Sequence, residues 1–401
     1  MRLLVVSSWL PYPPDNGSRM RAFHLLQQFS RRHTLTLLSF GVPREPEDVA
    51  PLRVLCERVE LVPPGRLEKE RLTLRGLFSP VPRHLVQTRS AEMQALVTAA
   101  IAGHDAAIGL QIDAARYLVD ATPRMPAVFD EIEVGVLRDR YVLEQDPILR
   151  LRHGLTWWKF RRFVRFLVGR FERTTVVSAQ ERDYLRALGC DMARIVIVPN
   201  GIDVPDVSPA PVRAARLIYP GSVTYSANLD AIRFFVREVL PLVRRSRPDV
   251  AFWVTGTTEG VDIDDLAAID GVTFTGRVPD VTSLICESAA CVVPLRIGGG
   301  TRLKILHAMA AATPVVSTSK GIEGLEVEPE QHLLVADSPG DFAAQVLRLL
   351  ADPVLSLRLV SAARQFVQER HAWEPIAQTL ERVVEGAVED HRARRLGGAR
   401  R

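Results

Sequence analysis

The fold is decided by residues 291–318, which read CVVPLRIGGGTRLKILHAMAAATPVVST. The apolar run Cys291–Leu295 predicts a buried strand, and Val315–Thr318 predicts a second one. Between them, three glycines lead to Thr301, a favourable N-cap residue, and to the helical stretch Arg302–Ala312. A strand, a glycine loop, a helix and a second strand in this order are typical of a parallel βαβ unit.

The glycine loop and the helix after it predict a phosphate site. Backbone N–H groups at a helix start, together with the positive end of the helix dipole, bind anions. Arg302 and Lys304 fall in the first turn, where a cation is disfavoured unless an anion lies nearby. A tight turn beside two solvated cations is the competing interpretation. The candidate ligand-binding residues of this stretch are Gly298, Gly299, Gly300, Thr301 and His307, which shares a helix face with Lys304.

Outside this stretch, short apolar runs alternate with helical patterns along the whole chain. Strands that are apolar on both faces and joined by helices predict parallel, doubly wound sheets, which bind ligands at the carboxyl ends of their strands. The Pro-rich stretch 198–211 interrupts the alternation and predicts a linker. The other predicted strands are Leu3–Ser7, Thr34–Phe40, Val59–Val62, Ala106–Gln111, Ala127–Asp130, Thr174–Ser178, Leu217–Tyr219, Ala251–Thr255 and Val272–Thr275.

Length and composition fit a globular protein of two domains. The chain has 401 residues, of which 47% are hydrophobic and 24% charged. A net charge of +4 suits phosphate-bearing ligands or an anionic membrane surface and does not require nucleic acid. The four cysteines have no zinc-site spacing, so a reduced, cytoplasmic setting is expected. No stretch approaches the ~20 apolar residues of a membrane span.

The first strand-to-helix loop offers a second candidate anion site. Asn16, Gly17 and Ser18 stand at the predicted helix start, and Arg21 falls in its first turns. Gly17 would admit a ligand, and Arg21 would reach an anionic group across a cleft. An ordinary Asn-Gly turn followed by a solvated basic helix face is the competing interpretation.

Taken together, these motifs resemble glycosyltransferase family four, the large retaining group of group 1 glycosyl transferases with the GT-B fold. The block Val293–Pro314 is the most specific, and Gly299 resembles a glycine-rich branch of the family. The matching stretches cover nearly the whole chain in the right order: Pro13–Arg21, Val198–Asp203, Tyr219–Ser222, Gly276–Val281, Val293–Pro314 and the region of Trp373.

The resemblance implies an α/β architecture of two Rossmann-like, doubly wound domains that face each other across a cleft. It implies a retaining transfer from a UDP-, GDP- or similar sugar to a glycan, lipid-linked or small-molecule acceptor, as in bacterial-type polysaccharide synthesis, without a metal or other cofactor. The implied segments are an acceptor-binding domain at 1–198, a linker at 199–215, a donor domain at 216–372, a helix at 373–388 that returns to the first domain, and a basic tail at 389–401, predicted to be disordered.

The resemblance also assigns donor-side residues. The family's usual arginine and lysine align with Ser222 and Asn228, so Arg302 and Lys304 would neutralise the leaving diphosphate. Gly221 and Arg277 lie in matching motifs and are further donor-side candidates. Glu323 either faces the donor or caps a helix.

Two positions depart from the family pattern. The paired glutamates of many members are replaced by Gly299 and His307, and a neutral imidazole can bond a ribose hydroxyl without supplying an anionic acceptor. The alternative function is therefore a catalytically impaired GT-B protein that binds a nucleotide sugar or supports a partner. A sugar-nucleotide epimerase of the same fold is disfavoured, because the matching blocks are transferase-like.

Acidic residues follow a predicted strand of the first domain. Ile132 stands where many members carry a histidine near the reacting carbon. Its neighbours Asp130, Glu131 and Glu133 are candidates for binding the acceptor or activating its hydroxyl, and Glu131 and Glu133 are the catalytic candidates. A solvated acidic turn is the competing interpretation.

A basic, aromatic stretch at Arg150–Arg173 has two interpretations. It predicts either a helix in a membrane interface, with peripheral contact at the inner face of the membrane, or a long helix packed on the first sheet with solvated arginines. Its aromatic residues are Trp157, Trp158, Phe160, Phe163, Phe166 and Phe171.

Overall fold

The computed structural model describes residues 1–14, 16–43, 45–63, 79, 81–82, 85, 90–142, 144–207, 214–298 and 302–398. The chain divides into two compact units. The first, the N-terminal unit, comprises Met1–Asn200 and the segment from Trp373 onward, and the second, the C-terminal unit, comprises Gly201–Ala372. Each unit is an α/β layer structure around a parallel sheet.

The sheet of the N-terminal unit has seven parallel strands within the described residues, in the order β3-β2-β1-β4-β5-β6-β7. Both of its faces are buried, because Leu4 and Val6 of the first strand enter one apolar cluster and Leu3 and Val5 enter the other. The strands are β1 (Arg2–Ser7), β2 (Thr34–Phe40), β3 (Arg58–Val62), β4 (Ala106–Leu110), β5 (Ala127–Asp130), β6 (Arg173–Val176) and β7 (Ile195–Ile197).

The sheet of the C-terminal unit has six parallel strands within the described part, in the order β10-β9-β8-β11-β12-β13. The strand order of this sheet reverses beside the strand that comes first along the chain. Doubly wound folds bind ligands at such a reversal. The strands are β8 (Ala214–Pro220), β9 (Ala251–Thr255), β10 (Val272–Gly276), β11 (Ser288–Val293), β12 (Val315–Ser317) and β13 (Leu334–Val335).

Helices connect the strands of both sheets. None of the helices among the described residues is both long and apolar enough to cross a bilayer. The helices are α1 (Gly17–Phe29), α2 (Ala50–Leu55), α3 (Ala91–Ala100), α4 (Gln111–Ala115), α5 (Gly135–Val142), α6 (Pro147–Val168), α7 (Ala179–Ala187), α8 (Ser226–Phe234), α9 (Leu240–Ser246), α10 (Asp264–Ala267), α11 (Val281–Cys286), α12 (Leu303–Ala310), α13 (Pro339–Ala351), α14 (Pro353–Arg370) and α15 (Trp373–Gly398).

The predicted strands and their parallel pairing are confirmed, and two strands were missed. β7 was missed because it runs into the predicted linker, and β13 is only two residues long. The helix of the glycine-loop segment is shorter than predicted. It begins at Leu303 with Arg302 as the N-cap residue, so the prediction of Thr301 as the cap is wrong.

The predicted basic tail at 389–401 is corrected, because α15 continues to Gly398. A buried carboxylate explains the extension. His391 is 7% exposed and lies 3.0 Å from Glu172 Oε1, which also pairs with Arg394 one turn further on. Glu172 in turn accepts a bond from the backbone N–H of Ala127. The last helical turns are therefore held to the sheet by polar contacts as well as apolar ones.

A buried ion pair fixes the carboxyl edge of the N-terminal sheet. Arg21 of α1 and Asp130 at the end of β5 are 1% and 0% exposed and form two N–H···O bonds of 2.8 Å. Thr175 donates to the same carboxylate at 2.6 Å, and Arg21 Nη1 donates to Pro199 O and Asn200 Oδ1. The prediction that Arg21 reaches an anionic ligand is therefore wrong, because its guanidinium is buried against these protein acceptors.

Replacing Arg21 with methionine should cost about 3–5 kcal/mol of unfolding free energy, because Asp130 would be left as a buried, uncompensated charge. Denaturant unfolding followed by circular dichroism measures the change. The matched control is Arg2→Met, which removes the exposed pair between Arg2 and Glu57 and should cost about 1 kcal/mol or less. Equal losses in the two variants would contradict a structural role for the buried pair.

Candidate functional site

A polar cluster lies at the carboxyl edge of the C-terminal sheet. Asn228 of α8 is at its centre and is 6% exposed. Its Oδ1 accepts from Tyr219 Oη at 2.6 Å and from Lys304 Nζ at 3.1 Å, while its Nδ2 donates to Ser222 O at 2.7 Å. The predicted residues Ser222, Asn228 and Lys304 are therefore brought together by β8, α8 and α12.

Lys304 is a desolvated cation. Its ammonium lies 5.1 Å from the centre of the Tyr219 ring. Burial, with a smaller contribution from the nearby charge of Arg302, lowers the pKa of Lys304 to about 8. A bound anion would raise the pKa of Lys304 again, because its negative charge would offset both the lost hydration and the nearby charge of Arg302. The electrostatics of the cluster therefore favour an anionic ligand.

Two glycines let the backbone come close to this cluster. A Cβ on Gly221 would lie 3.0 Å from Asn228 Nδ2 and 3.3 Å from Lys304 Cε. Gly256, after β9, has φ +108°, and a Cβ there would lie 2.6 Å from the backbone nitrogen of Ser222. Only glycine fits at this second position.

Arg302, the N-cap residue of α12, is bonded to two backbone carbonyls. It is 5% exposed, and its Nη2 donates to Gly298 O and Lys320 O, each at 3.0 Å. Glu323 Oε2 lies 3.5 Å from the same nitrogen and pairs with Lys320. The helix-cap interpretation of Glu323 is wrong, because this carboxylate lies in a turn and balances Arg302 and Lys320.

His307 lies one turn along α12 from Lys304. Its Nε2 is 3.0 Å from Thr282 Oγ1 of α11. Burial lowers the pKa of His307 below its ordinary value, partly offset by the charges of Asp203 and Asp280. Burial therefore favours the neutral form of the imidazole.

The remaining donor-side candidates are less well placed or not described. Arg277 follows β10 and is solvent-exposed. Gly299, Gly300 and Thr301 lie outside the described residues, so their predicted contacts with phosphate stay predictions.

A second cluster lies at the carboxyl edge of the N-terminal sheet. Gln111 and Glu131 directly follow the adjacent strands β4 and β5, and Gln111 Nε2 donates to Glu131 Oε2 at 3.2 Å. Trp9, just beyond β1, donates its indole N–H to Gln111 Oε1 and is 46% exposed. Gln111 and Glu131 have φ values of 66° and 59°. Such left-handed residues are costly and concentrate at functional sites.

The three acids at and just beyond the end of β5 have separate environments. Asp130 is buried in its ion pair, and Glu133 is exposed. Glu131 is half-buried, and burial, opposed in part by Arg21, raises its pKa to about 7. The interpretation of a solvated acidic turn is therefore wrong for Asp130 and Glu131. Ile132 is buried in the core, 1% exposed.

The first loop proves to be a capped helix start. Asn16 is exposed and its side chain accepts from the N–H of Arg19 at 3.1 Å, so it is the N-cap of α1. Gly17 and Ser18 form the first turn and are half-buried. Their contact with an anionic group stays a prediction.

Trp9, Gln111, Tyr219 and Gly256 were not among the predicted site residues. Tyr219 is the penultimate residue of its strand, and each of the other three follows a strand of the parallel sheets within two residues. The rule that ligands bind at the carboxyl ends of parallel strands would have found them.

Comparison with family models finds matches in both units. The model of the group 1 glycosyl transferases matches residues 214–352, and the model of glycosyltransferase family 4 matches residues 142–206. The chain belongs to the group 1 glycosyl transferases of family four. These matches include β8, α8 and α12, which carry the Lys304 cluster of this family member.

Known proteins agree with this assignment. The glycogen synthase of Mycobacterium tuberculosis is 29% identical over 245 residues, which are 57% of this chain and 57% of that relative. The chain thus spans little more than half the length of this curated relative.

Solved structures confirm the GT-B fold of this family member. HepE of Anabaena, in complex with UDP and glucose, aligns with a TM-score of 0.67 at 14% identity over 96% of this chain and 99% of that one. The sucrose-phosphate synthase of Thermosynechococcus elongatus aligns with a TM-score of 0.67 at 17% identity over 100% of both chains.

Replacing Gly256 with alanine should destabilise the protein by about 2 kcal/mol or more and weaken ligand binding at the Lys304 cluster. The new Cβ would press on the backbone of Ser222 at a φ that alanine rarely adopts. Thermal unfolding and nucleotide titration measure the two effects. The matched control is Gly260→Ala, which has φ +74° and no atom within 4 Å of the new Cβ. A Gly256→Ala protein that matched this control in both measurements would contradict the close approach.

Proposed function

We propose that this protein transfers a glycosyl group from a nucleoside diphosphate sugar to a hydroxyl of a carbohydrate or lipid-linked acceptor, with retention at the anomeric carbon. The observation that carries the proposal is the pair of desolvated cations, Arg302 and Lys304, at the N-terminus of α12. Two observations support a nucleoside diphosphate sugar as the donor. The HepE structure contains UDP, and two similar proteins are named glycogen synthase and sucrose-phosphate synthase.

The donor diphosphate would lie at the carboxyl edge of the C-terminal sheet. Lys304 would bond a phosphate oxygen directly, and the helix start would add its dipole. Arg302, held by the carbonyls of Gly298 and Lys320, would fix the loop and add a second positive charge. His307, as a neutral imidazole, would bond a hydroxyl of the ribose. Gly221 admits the donor near Lys304 because it has no side chain.

The acceptor hydroxyl would be bound by the N-terminal unit at Glu131. A carboxylate with a pKa near 7 is suited to general-base catalysis at neutral pH. Gln111 orients this carboxylate through its amide N–H, and Trp9 holds Gln111 in turn.

In the proposed reaction the acceptor oxygen forms a bond to the anomeric carbon as the bond from that carbon to the diphosphate oxygen breaks. The acceptor proton passes to Glu131, and the nucleoside diphosphate leaves with its developing charge neutralised by Lys304 and Arg302. The scheme needs no metal ion. Among the described residues, no group of three or more His, Cys, Asp and Glu side chains is arranged to hold one.

Replacing Lys304 with methionine should weaken nucleoside diphosphate binding by about 10- to 100-fold, because a charge-assisted hydrogen bond is lost. Calorimetric titration with UDP, GDP and ADP at pH 7 measures this. In the wild-type protein the affinity should be constant below pH 8 and then fall about tenfold per pH unit, because the free lysine loses its proton near pH 8.

The matched variant is Lys304→Arg, whose guanidinium stays charged throughout this range. It should retain binding at pH 7 and lose the decline above pH 8. Unchanged affinity in Lys304→Met, or the same decline in Lys304→Arg, would contradict the role of Lys304.

Replacing Glu131 with glutamine should lower kcat by about 10²- to 10⁴-fold and leave donor affinity unchanged, because only the general base is removed. Release of nucleotide from the tightest-binding sugar nucleotide, with water or added sugars as acceptor, measures the rate. The wild-type kcat/KM should rise with pH to about 7, as Glu131 loses its proton, and fall above about 8 with Lys304.

The control is Glu133→Gln, a change of the neighbouring exposed acid, which should leave the rate within a few-fold of wild type. This control also tests the prediction that Glu133 is catalytic. If sugar nucleotides bind tightly but neither the wild-type protein nor its His307→Glu variant releases nucleotide, the protein is a binding subunit and the transferase proposal is wrong.

A further inference from the structure

Helix α6 has a composition unlike that of an ordinary surface helix. Its 22 residues, PILRLRHGLTWWKFRRFVRFLV, include six lysines and arginines and no aspartate or glutamate. The flanking Asp146 is used as the helix N-cap, where it accepts from the N–H groups of Ile148 and Leu149. Apart from this cap, the charge of the helix is entirely positive.

One face of α6 packs on the core. Phe160, Val164, Leu167 and Val168 are all at most 2% exposed and belong to an apolar cluster of the N-terminal unit. This confirms the interpretation of a helix packed on the first sheet. It accounts for only part of the apolar residues of the helix.

A second apolar face points to solvent. We call it the outer face of α6. Its members recur at steps of three, four or eight residues, so they form a line on the side opposite the core-facing residues. They are Ile148 (78% exposed), Leu151 (78%), Leu155 (42%), Trp158 (43%) and Phe166 (45%).

Exposed cations border this face and interrupt it between Trp158 and Phe166, where Arg162 stands four residues from each. Arg152, Arg161 and Arg162 are all exposed, and the Arg162 guanidinium lies 5.1 Å from the centre of the Trp158 ring. From Ile148 to Phe166 the face runs through 18 residue steps and is about 27 Å long, at 1.5 Å per residue. A straight face of this length, with arginines beside it and one arginine within it, matches a flat surface that is apolar below and negatively charged above.

We propose that the outer face of α6 inserts into the interface of an anionic lipid bilayer, with the arginines bonded to lipid phosphates. The proposal concerns the N-terminal unit alone and does not depend on the glycosyl transfer proposed above. An anionic bilayer fits better than a protein partner. It accepts five apolar side chains at one depth, together with the exposed arginines of the helix, without any matching pattern of acids.

Co-sedimentation with vesicles tests the proposal. The full-length protein should bind vesicles of phosphatidylcholine with 30% phosphatidylglycerol and stay in the supernatant with phosphatidylcholine alone. The variant Leu151→Ser/Leu155→Ser should lose binding by about 30-fold or more, since each buried leucine is worth about tenfold.

The matched apolar control is Val354→Ser/Leu357→Ser in the C-terminal unit. Its positions are 77% and 41% exposed, against 78% and 42% for Leu151 and Leu155, and it should bind like wild type. All of these side chains are at the surface, so circular dichroism should show unchanged folding. Equal binding of the two double variants would overturn the proposal.

A charge variant tests whether the arginines bind lipid phosphates. Arg152→Gln/Arg162→Gln should bind anionic vesicles more weakly by about fivefold for each arginine, and salt should weaken the wild-type protein in the same direction. The control Arg31→Gln/Arg53→Gln removes two exposed arginines elsewhere in the N-terminal unit and should have a much smaller effect. Equal weakening of vesicle binding in the two double variants would show an effect of net charge alone. It would overturn the proposal that the outer face of α6 is the binding surface.

Tryptophan emission tests the depth of insertion. Wild-type emission should shift to shorter wavelength on binding anionic vesicles, and Trp158→Phe should keep binding but lose most of the shift. A protein that stays in the supernatant with both vesicles would overturn the proposal. So would a dimer, detected by light scattering, that Leu151→Ser/Leu155→Ser dissociates, because the outer face would then bind a second copy of the chain.

Discussion

The buried pair of Arg21 and Asp130 holds together the edge of the sheet on which the N-terminal site is built. Asp130 also accepts from Thr175, and Thr175 Oγ1 accepts from the N–H of Glu131 at 3.1 Å. A single carboxylate thus links α1, β5 and β6 and positions the next residue along the chain. Because an unpaired charge at this depth is costly, the pair forces these elements into one arrangement. That arrangement determines the position of Glu131.

Burial shifts the pKa values of the key side chains in the two clusters in opposite directions. Burial raises the pKa of Glu131 to about 7 and lowers the pKa of Lys304 to about 8. Both shifts bring a side chain close to the pH at which it would work, one as a proton acceptor and the other as a partner for phosphate.

The strands and the glycine-loop segment were predictable from the sequence because they depend on local patterns. Strands with both faces apolar, such as β1 and β4, stand out by composition alone. The role of Arg21 was not predictable in this way, since its partners Asp130 and Asn200 lie more than 100 residues away. The same holds for Trp9 and Gln111, and for the last turns of α15, whose partner is the distant Glu172.

The sequence by itself determined two parallel α/β units and the phosphate-type motif that includes Lys304, because apolar periodicity and glycine placement act over a few residues. Only the tertiary structure decided which charged groups remain for chemistry. Arg21 and Asp130 are buried in an ion pair between distant elements and stabilise the fold. Glu131 and Lys304 remain at the carboxyl edges of the two sheets. The tertiary structure also separated the two apolar faces of α6, since only packing shows which face a sheet covers.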